Sequence, residues 1–176
     1  MQIRHAVMED LDKIMDIYAY ARKFMAQTGN PRQWGATCWP PRDLIRRDIE
    51  IGKSYVCVDK SQNDEAQNIQ AVFYYDFGKD IEPCYGLIEE GRWKDPSPYG
   101  VVHRIASAEG TRGAGTFCLA WAYGQSGHLR IDTHPDNHVM QAFLKKQGFV
   151  YCGIIHVEED NDPRFAYEKS VETAEG

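Results

Sequence analysis

The chain has no apolar run of about 18 residues, the length a membrane-crossing helix needs, so no membrane span is expected. It also lacks the pattern of a secretory leader. Met1-Gln2-Ile3-Arg4-His5 turns polar too early, and no leader is expected. There is no C-x-x-C pair. The five cysteines (Cys38, Cys57, Cys84, Cys118, Cys152) are odd in number and far apart, which signals neither a disulfide framework nor a zinc site. A reducing cytoplasm is the expected compartment. His134 and His138 are four residues apart, but Pro135 lies between them, and no metal site is expected. Positive charge is also short, with 20 Lys and Arg against 26 Asp and Glu and a net charge of −6. A protein that wraps nucleic acid needs a basic face, so no such partner is expected. A local basic pocket for a phosphorylated cofactor stays open.

What is present suits a packed domain. The 176 residues are 43% hydrophobic, enough for a real core. One domain over residues 1–170 is expected, with a frayed tail at 171–176. Apolar periodicity predicts a short strand at 3–6 and a helix carrying Leu11, Ile14, Met15, Tyr18, Ala21 and Met25, stopped at Gly29. A loop with Trp34 and Trp39 follows, then a second helix over 41–51. Strands are expected at 54–59 and 69–77, joined by a polar loop at 60–68. Residues 78–98 read as an irregular excursion with one short helix near 85–90. A long strand at 99–107, a helix at 115–125, a strand at 129–133 and a helix at 136–147 come next. Strands at 149–157 and 164–169, around an acidic turn at 158–163, complete the order β-α-α-β-β-β-α-β-α-β-β. That order indicates a mixed α/β (α+β) sheet.

The sharpest local feature follows the 99–107 strand. Gly110, Gly113 and Gly115 precede a helix in Arg112-Gly113-Ala114-Gly115-Thr116. Glycines let backbone N–H groups converge, and a helix start adds unpaired N–H groups and the positive end of its dipole. Arg112 adds a charge that pairs with phosphate. The loop therefore reads as a phosphate cradle or as a simple tight turn. It is not a Walker loop, since no Lys-Ser/Thr follows, and Cys118 stands where a Rossmann fingerprint has its third glycine.

Strand, Arg112-Gly113-x-Gly115 and helix resemble the acetyl-CoA motif Q/R-x-x-G-x-G/A of the GNAT N-acetyltransferases. The strand Leu129–His134, Asn137 opening a helix, and Gly148-Phe149 before the next strand fit the same family. So does the start Ile3, Arg4, Ala6, Asp10, Leu11. The likeness spans about residues 3–169 and looks like a small bacterial branch. It implies the GNAT fold: a twisted, mostly antiparallel sheet of about six or seven strands with splayed central strands and about four helices. It implies acetyl-CoA as cofactor. Backbone groups of Ile105, Ala106 and Ser107 would take the pantetheine arm, and Arg112, Gly113, Ala114, Gly115 and Thr116 the pyrophosphate. Asn137 would hydrogen-bond the pantetheine and Phe143 would pack near its thiol. Two positions depart from the pattern. Phe117 replaces the motif's last Gly or Ala and either turns into the core or crowds the pyrophosphate. Leu144 stands where the family often has a tyrosine acid.

Acetyl transfer to an amine needs a base, an oxyanion donor and a proton for the leaving thiolate. His103 is a candidate base; period-two alternation puts it on one face with Ile105 and Ser107. It reads equally as a histidine packed in a central strand. Asp132 and His134 share a face on the next strand, as base, substrate contact or strand-end cap. Cys152 or its neighbour Tyr151 is a candidate proton donor. Trp34 and Tyr85 are candidate walls of an acceptor pocket, or core aromatics. The expected function is N-acetylation of a small-molecule or amino-acid-like primary amine by direct attack. An enzyme acting on peptide amines and a non-catalytic acyl-CoA sensor remain as alternatives. Dimers are common in the family, and a homodimer stays open.

Overall fold

A computed structural model describes residues 1–35, 37–59, 68–158 and 162–171. Much of the polar loop expected at 60–68, the centre of the acidic turn at 158–163 and most of the tail at 171–176 lie outside the described residues.

The elements are β1 (Gln2–His5), α1 (Leu11–Gln27), α2 (Arg42–Glu50), β2 (Ser54–Val58), β3 (Ile69–Gly78), β4 (Tyr99–Ser107), α3 (Ala114–Ser126), β5 (Leu129–Thr133), α4 (His138–Lys146), β6 (Val150–His156) and β7 (Pro163–Lys169). They form one seven-stranded sheet in the order β1-β2-β3-β4-β5-β7-β6. Every pair is antiparallel except β4 with β5. This is the mixed, mostly antiparallel sheet with four helices that the family resemblance implies.

Alternation along the strands feeds two cores. Val56, Val58, Ile69, Val72 and Ala106 pack against Leu11, Ile14, Ile17 and Tyr18 of α1 and Ile45 and Ile49 of α2. Cys57, Ala71, Phe73, Val102, Leu129 and Ile131 pack against Cys118, Leu119 and Ala122 of α3 and Leu144 of α4 on the opposite face. The chain enters α1 through Asp10. Its buried carboxylate accepts the Val7 N–H at 2.9 Å and both Nη atoms of Arg4, tying β1 to the helix.

Two irregularities of the sheet open and line its central cleft. First, β4 and β5 pair only at Gly100 with Leu129 and Val101 with Arg130. Beyond these residues they part, leaving a wedge between the middle of the strands. Second, β4 carries a bulge. Tyr74 faces His103 but Val72 faces Ala106, so one β4 residue is extra, and Arg104 has φ +52°. The bulge breaks the period-two rule. His103 therefore does not share a face with Ile105 and Ser107, as alternation predicted. Val102 and Ile105 pack on the α3 side, whereas His103 meets Tyr74 and Tyr85 on the opposite side.

The excursion at 79–98 contains a single 3-10 turn, Pro83–Tyr85, in place of the helix expected near 85–90. From there it runs along the edge of β6. Glu89 and Ile154 exchange backbone bonds at 2.8 and 2.9 Å, and the Arg92 N–H donates to the Cys152 carbonyl at 2.8 Å. Gly91 permits this approach, since a Cβ there would overlap that carbonyl.

Candidate active site

The wedge opens into a cavity of about 930 Å³. Its lining runs from the α3 start, along β4 and β5, to α1, α2 and the 82–84 turn. One end is made of backbone. Gly113, with φ +77°, is the N-cap of α3, and no side chain caps that helix start. The leading N–H groups of α3 are therefore free to meet a ligand. Gly110, Thr111, Gly113, Gly115 and Thr116 line the cavity here. The Arg112 side chain is exposed and lies outside the lining, and Ala114 is buried, so its part is confined to backbone. A Cβ at Gly115 would come within 3.3 Å of the Phe143 ring. Phe117 turns toward the α3 core and not into the cavity.

Along the wedge, Ile105, Ala106 and Ser107 all line the cavity. The Ala108 N–H donates back to the Gln70 carbonyl at 2.9 Å, so strand alternation turns the backbone groups of Ser107 and Ile105 the other way, toward the gap. Phe143 and Asn137 line the far wall. The Asn137 side chain already has two partners. Its Oδ1 caps α4 by accepting the Met140 N–H at 3.0 Å, and its Nδ2 donates to Gln33 Oε1 at 3.0 Å.

Polar side chains gather at the other end. His103 Nε2 lies 2.6 Å from Glu82 Oε2, and its Nδ1 lies 3.8 Å from Asp132 Oδ2. Burial would raise the Glu82 carboxyl, but the bond to His103 and the nearby charges hold it below the ordinary glutamate range. Tyr85 is fully buried and donates to Asp132 Oδ2 at 2.8 Å. Burial, then the Asp132 charge, keeps its phenol protonated well above the usual range. Tyr85 does not line the cavity, so it supports Asp132 from behind and is no pocket wall. Trp34 does line it, with its edge against Tyr18.

The same fold appears in known proteins. No family model and no curated protein matched the sequence. Among solved structures, an acetyltransferase of the GNAT family from Streptococcus agalactiae is 32% identical, superposes with a TM-score of 0.79, and pairs 97% of this chain with 95% of its own. The chain belongs to the GNAT acetyltransferase family. More distant structures share the fold. A GNAT acetyltransferase from Listeria monocytogenes is 16% identical with a TM-score of 0.67, over 97% of this chain and 94% of its own. Arabidopsis thaliana NAA60, in complex with acetyl-CoA, is 12% identical with a TM-score of 0.66, over 97% and 98%.

Within this GNAT domain, two of the residues expected at the chemistry lie elsewhere. The His134 ring is buried outside the cavity, accepting the Asp136 N–H at 3.0 Å and facing Asp162 at 3.1 Å. It braces the turn into α4. The buried Cys152 thiol points to Glu168 and the Val150 carbonyl and does not line the cavity. Burial and then the Glu168 charge push it up to about 12. Leu144 is fully buried in the α3–α4 core and has no ionisable group to act as an acid. Sequence reasoning missed Glu82, which sits in the irregular excursion with no periodic signal. It also missed Asp48 and Arg104, an ion pair of 2.6 Å on the cavity wall. Asp48 did leave a trace: it is a carboxylate on the apolar stripe of α2 between Ile45 and Ile49.

Proposed function

We propose that this acetyltransferase moves the acetyl group of acetyl-CoA to the primary amine of a small, amino-acid-like acceptor by direct attack. The observation that carries the reading is the Glu82–His103–Asp132 group at one end of a cavity whose other end is the uncapped α3 start. The donor's chemical needs fit the residues present. Free N–H groups at Gly113–Thr116 suit a pyrophosphate, and the unpaired β4 edge at Ile105 and Ser107 suits the two amides of a pantetheine arm, which would lie like an added strand. Asn137 would have to release Gln33 to join them. Acetyl-CoA supplies an acyl group activated as a thioester.

The chain's own residues supply the rest. Glu82 is held as a carboxylate and orients the His103 ring. With Nε2–H donating to Glu82, Nδ1 carries the lone pair that accepts the amine proton. Asp132, fixed by Tyr85, attracts the ammonium form of the acceptor and holds it at the mouth of the wedge. Backbone N–H groups of the splayed β4 edge would stabilise negative charge on the acyl oxygen. Nitrogen bonds to the acyl carbon, the carbon–sulfur bond breaks and the thiolate leaves. Most of the acceleration on this reading comes from positioning.

The experiment is a pair of measurements on the purified protein. Acetyl-CoA should raise the melting temperature, and thiol release should accelerate when a primary amine is added. Gly115→Trp should remove the shift and keep the fold, because its side chain fills the cradle. A protein whose melting point ignores acetyl-CoA would refute the cradle. A shift with no amine-dependent thiol release would favour the sensor.

A further inference from the structure

We propose that the acceptor is an amino acid whose carboxylate is bound by Arg104, while the adjacent His103 takes the proton from its amine; this rests on the proposed acetyl transfer in the same cleft. The bulge is the first ground. In a regular strand successive side chains point to opposite faces. Here the extra residue, with Arg104 at φ +52°, puts His103 and Arg104 on the same side of β4, and both line the cavity. Their Cα atoms are one peptide step apart, about 3.8 Å. Adjacent side chains on one face can meet the two groups that an α-amino acid carries on one carbon.

The second ground is how Arg104 is held. Its Nη2 donates to Asp48 Oδ2 at 2.6 Å, and its guanidinium lies over the Tyr74 ring at 4.8 Å. The Tyr18 hydroxyl donates to its carbonyl at 3.0 Å, fixing the bulge. Nη1 has no protein partner among the described residues. A planar guanidinium fixed on one side and free on the other suits a carboxylate. The remaining guanidinium in the lining, Arg164, donates to the carbonyls of Asp162 and Pro163.

The third ground is the charge pattern. Glu82 and Asp132 serve a cationic amine, and Arg104 supplies the opposite sign beside them. A strut joining α2 to β4 would not need charge. A buried ion pair is commonly replaceable by apolar residues without loss of stability, so Arg104 and Asp48 call for another role.

The test uses matched acceptors, each free L-amino acid against its own carboxamide, with thiol release from acetyl-CoA as readout. Wild type should prefer the acid by tenfold or more in kcat/KM. Arg104→Lys should shrink that ratio severalfold. The double variant Arg104→Met/Asp48→Leu, which leaves no unpaired charge, should bring it to one by raising KM for the acids far more than for the amides. Acids and amides used equally by wild type would overturn the carboxylate site while leaving acetyl transfer intact. A ratio preserved in both variants, with acid and amide falling together, would mean that Arg104 is a strut. Amine-independent thiol release throughout would bring down the transfer reading and this one with it.

Discussion

His103 has a carboxylate on each side, Glu82 at 2.6 Å and Asp132 at 3.8 Å, and the two are not equivalent. Glu82 is close enough to fix the ring, so on the proposed reading it is a positioning residue and His103 meets the amine. Removing the ring in His103→Ala should lower kcat by about a hundredfold or more, the usual contribution of a general base. Glu82→Gln should lower kcat by about tenfold to a hundredfold and leave KM for acetyl-CoA unchanged. A purely structural glutamate would lower the melting point and leave kcat alone. The pH dependence of stability carries the same information. Glu82 is depressed in the folded protein, so its stabilising contribution is present above the ordinary glutamate range, near 4.5. It is lost as pH falls through the lower folded value. Denaturation midpoints of wild type and Glu82→Gln should differ at pH 7 and converge as pH falls below the ordinary glutamate range. A difference that widens on acidification would contradict the pairing.

Between the strands, the proposed chemistry depends on a segment that only touches the cavity at one turn. The 79–98 excursion carries Glu82 and Tyr85 and is pinned to β6 through Glu89 and Arg92. Gly91→Ala would force this segment off the β6 edge, because the new methyl overlaps the Cys152 carbonyl. We expect faster amide exchange across residues 82–93 and a fall in kcat, with acetyl-CoA affinity unchanged. Normal exchange with normal kcat would show that the excursion tolerates the shift. The α3 start behaves differently. Gly113, at φ +77°, holds a backbone conformation that costs an L-residue about 1–2 kcal/mol. Gly113→Ala should lower the unfolding free energy by about that amount in chemical denaturation.

The whole molecule is joined at the far end of the sheet by a buried charge cluster. Glu168 is fully buried and meets His128 at 2.9 Å, Arg130 at 3.0 Å and the Lys94 N–H at 2.6 Å. The Arg130 guanidinium lies 4.2 Å from both the Trp93 and Tyr99 rings. This cluster anchors the end of the excursion to β5 and β7. Arg130→Met leaves the Glu168 charge short of compensation and should cost about 3–5 kcal/mol of stability. A loss below about 1 kcal/mol would mean that His128 and the backbone suffice.

The same scale separates what was legible in the sequence from what was not. Helices α1, α2 and α4 and all seven strands follow apolar periods that their residues carry locally. The glycines before α3 and the Gly148-Phe149 step are also local, since backbone conformation answers to the residue that adopts it. The sheet order, the parting of β4 from β5 and the bulge at Arg104 are pairings between distant segments. The bulge turned the expected face of His103 around and brought Arg104 beside it. Glu82 reached the site from a segment with no period at all, while His134 and Cys152 were drawn to partners outside the cavity. The sequence by itself determined most of the elements and where a glycine-capped helix start with free N–H groups stands, because turns, caps and alternation act over a few residues. Which side chains meet in the wedge was decided by tertiary structure alone, because register and strand divergence arise only when remote strands pair.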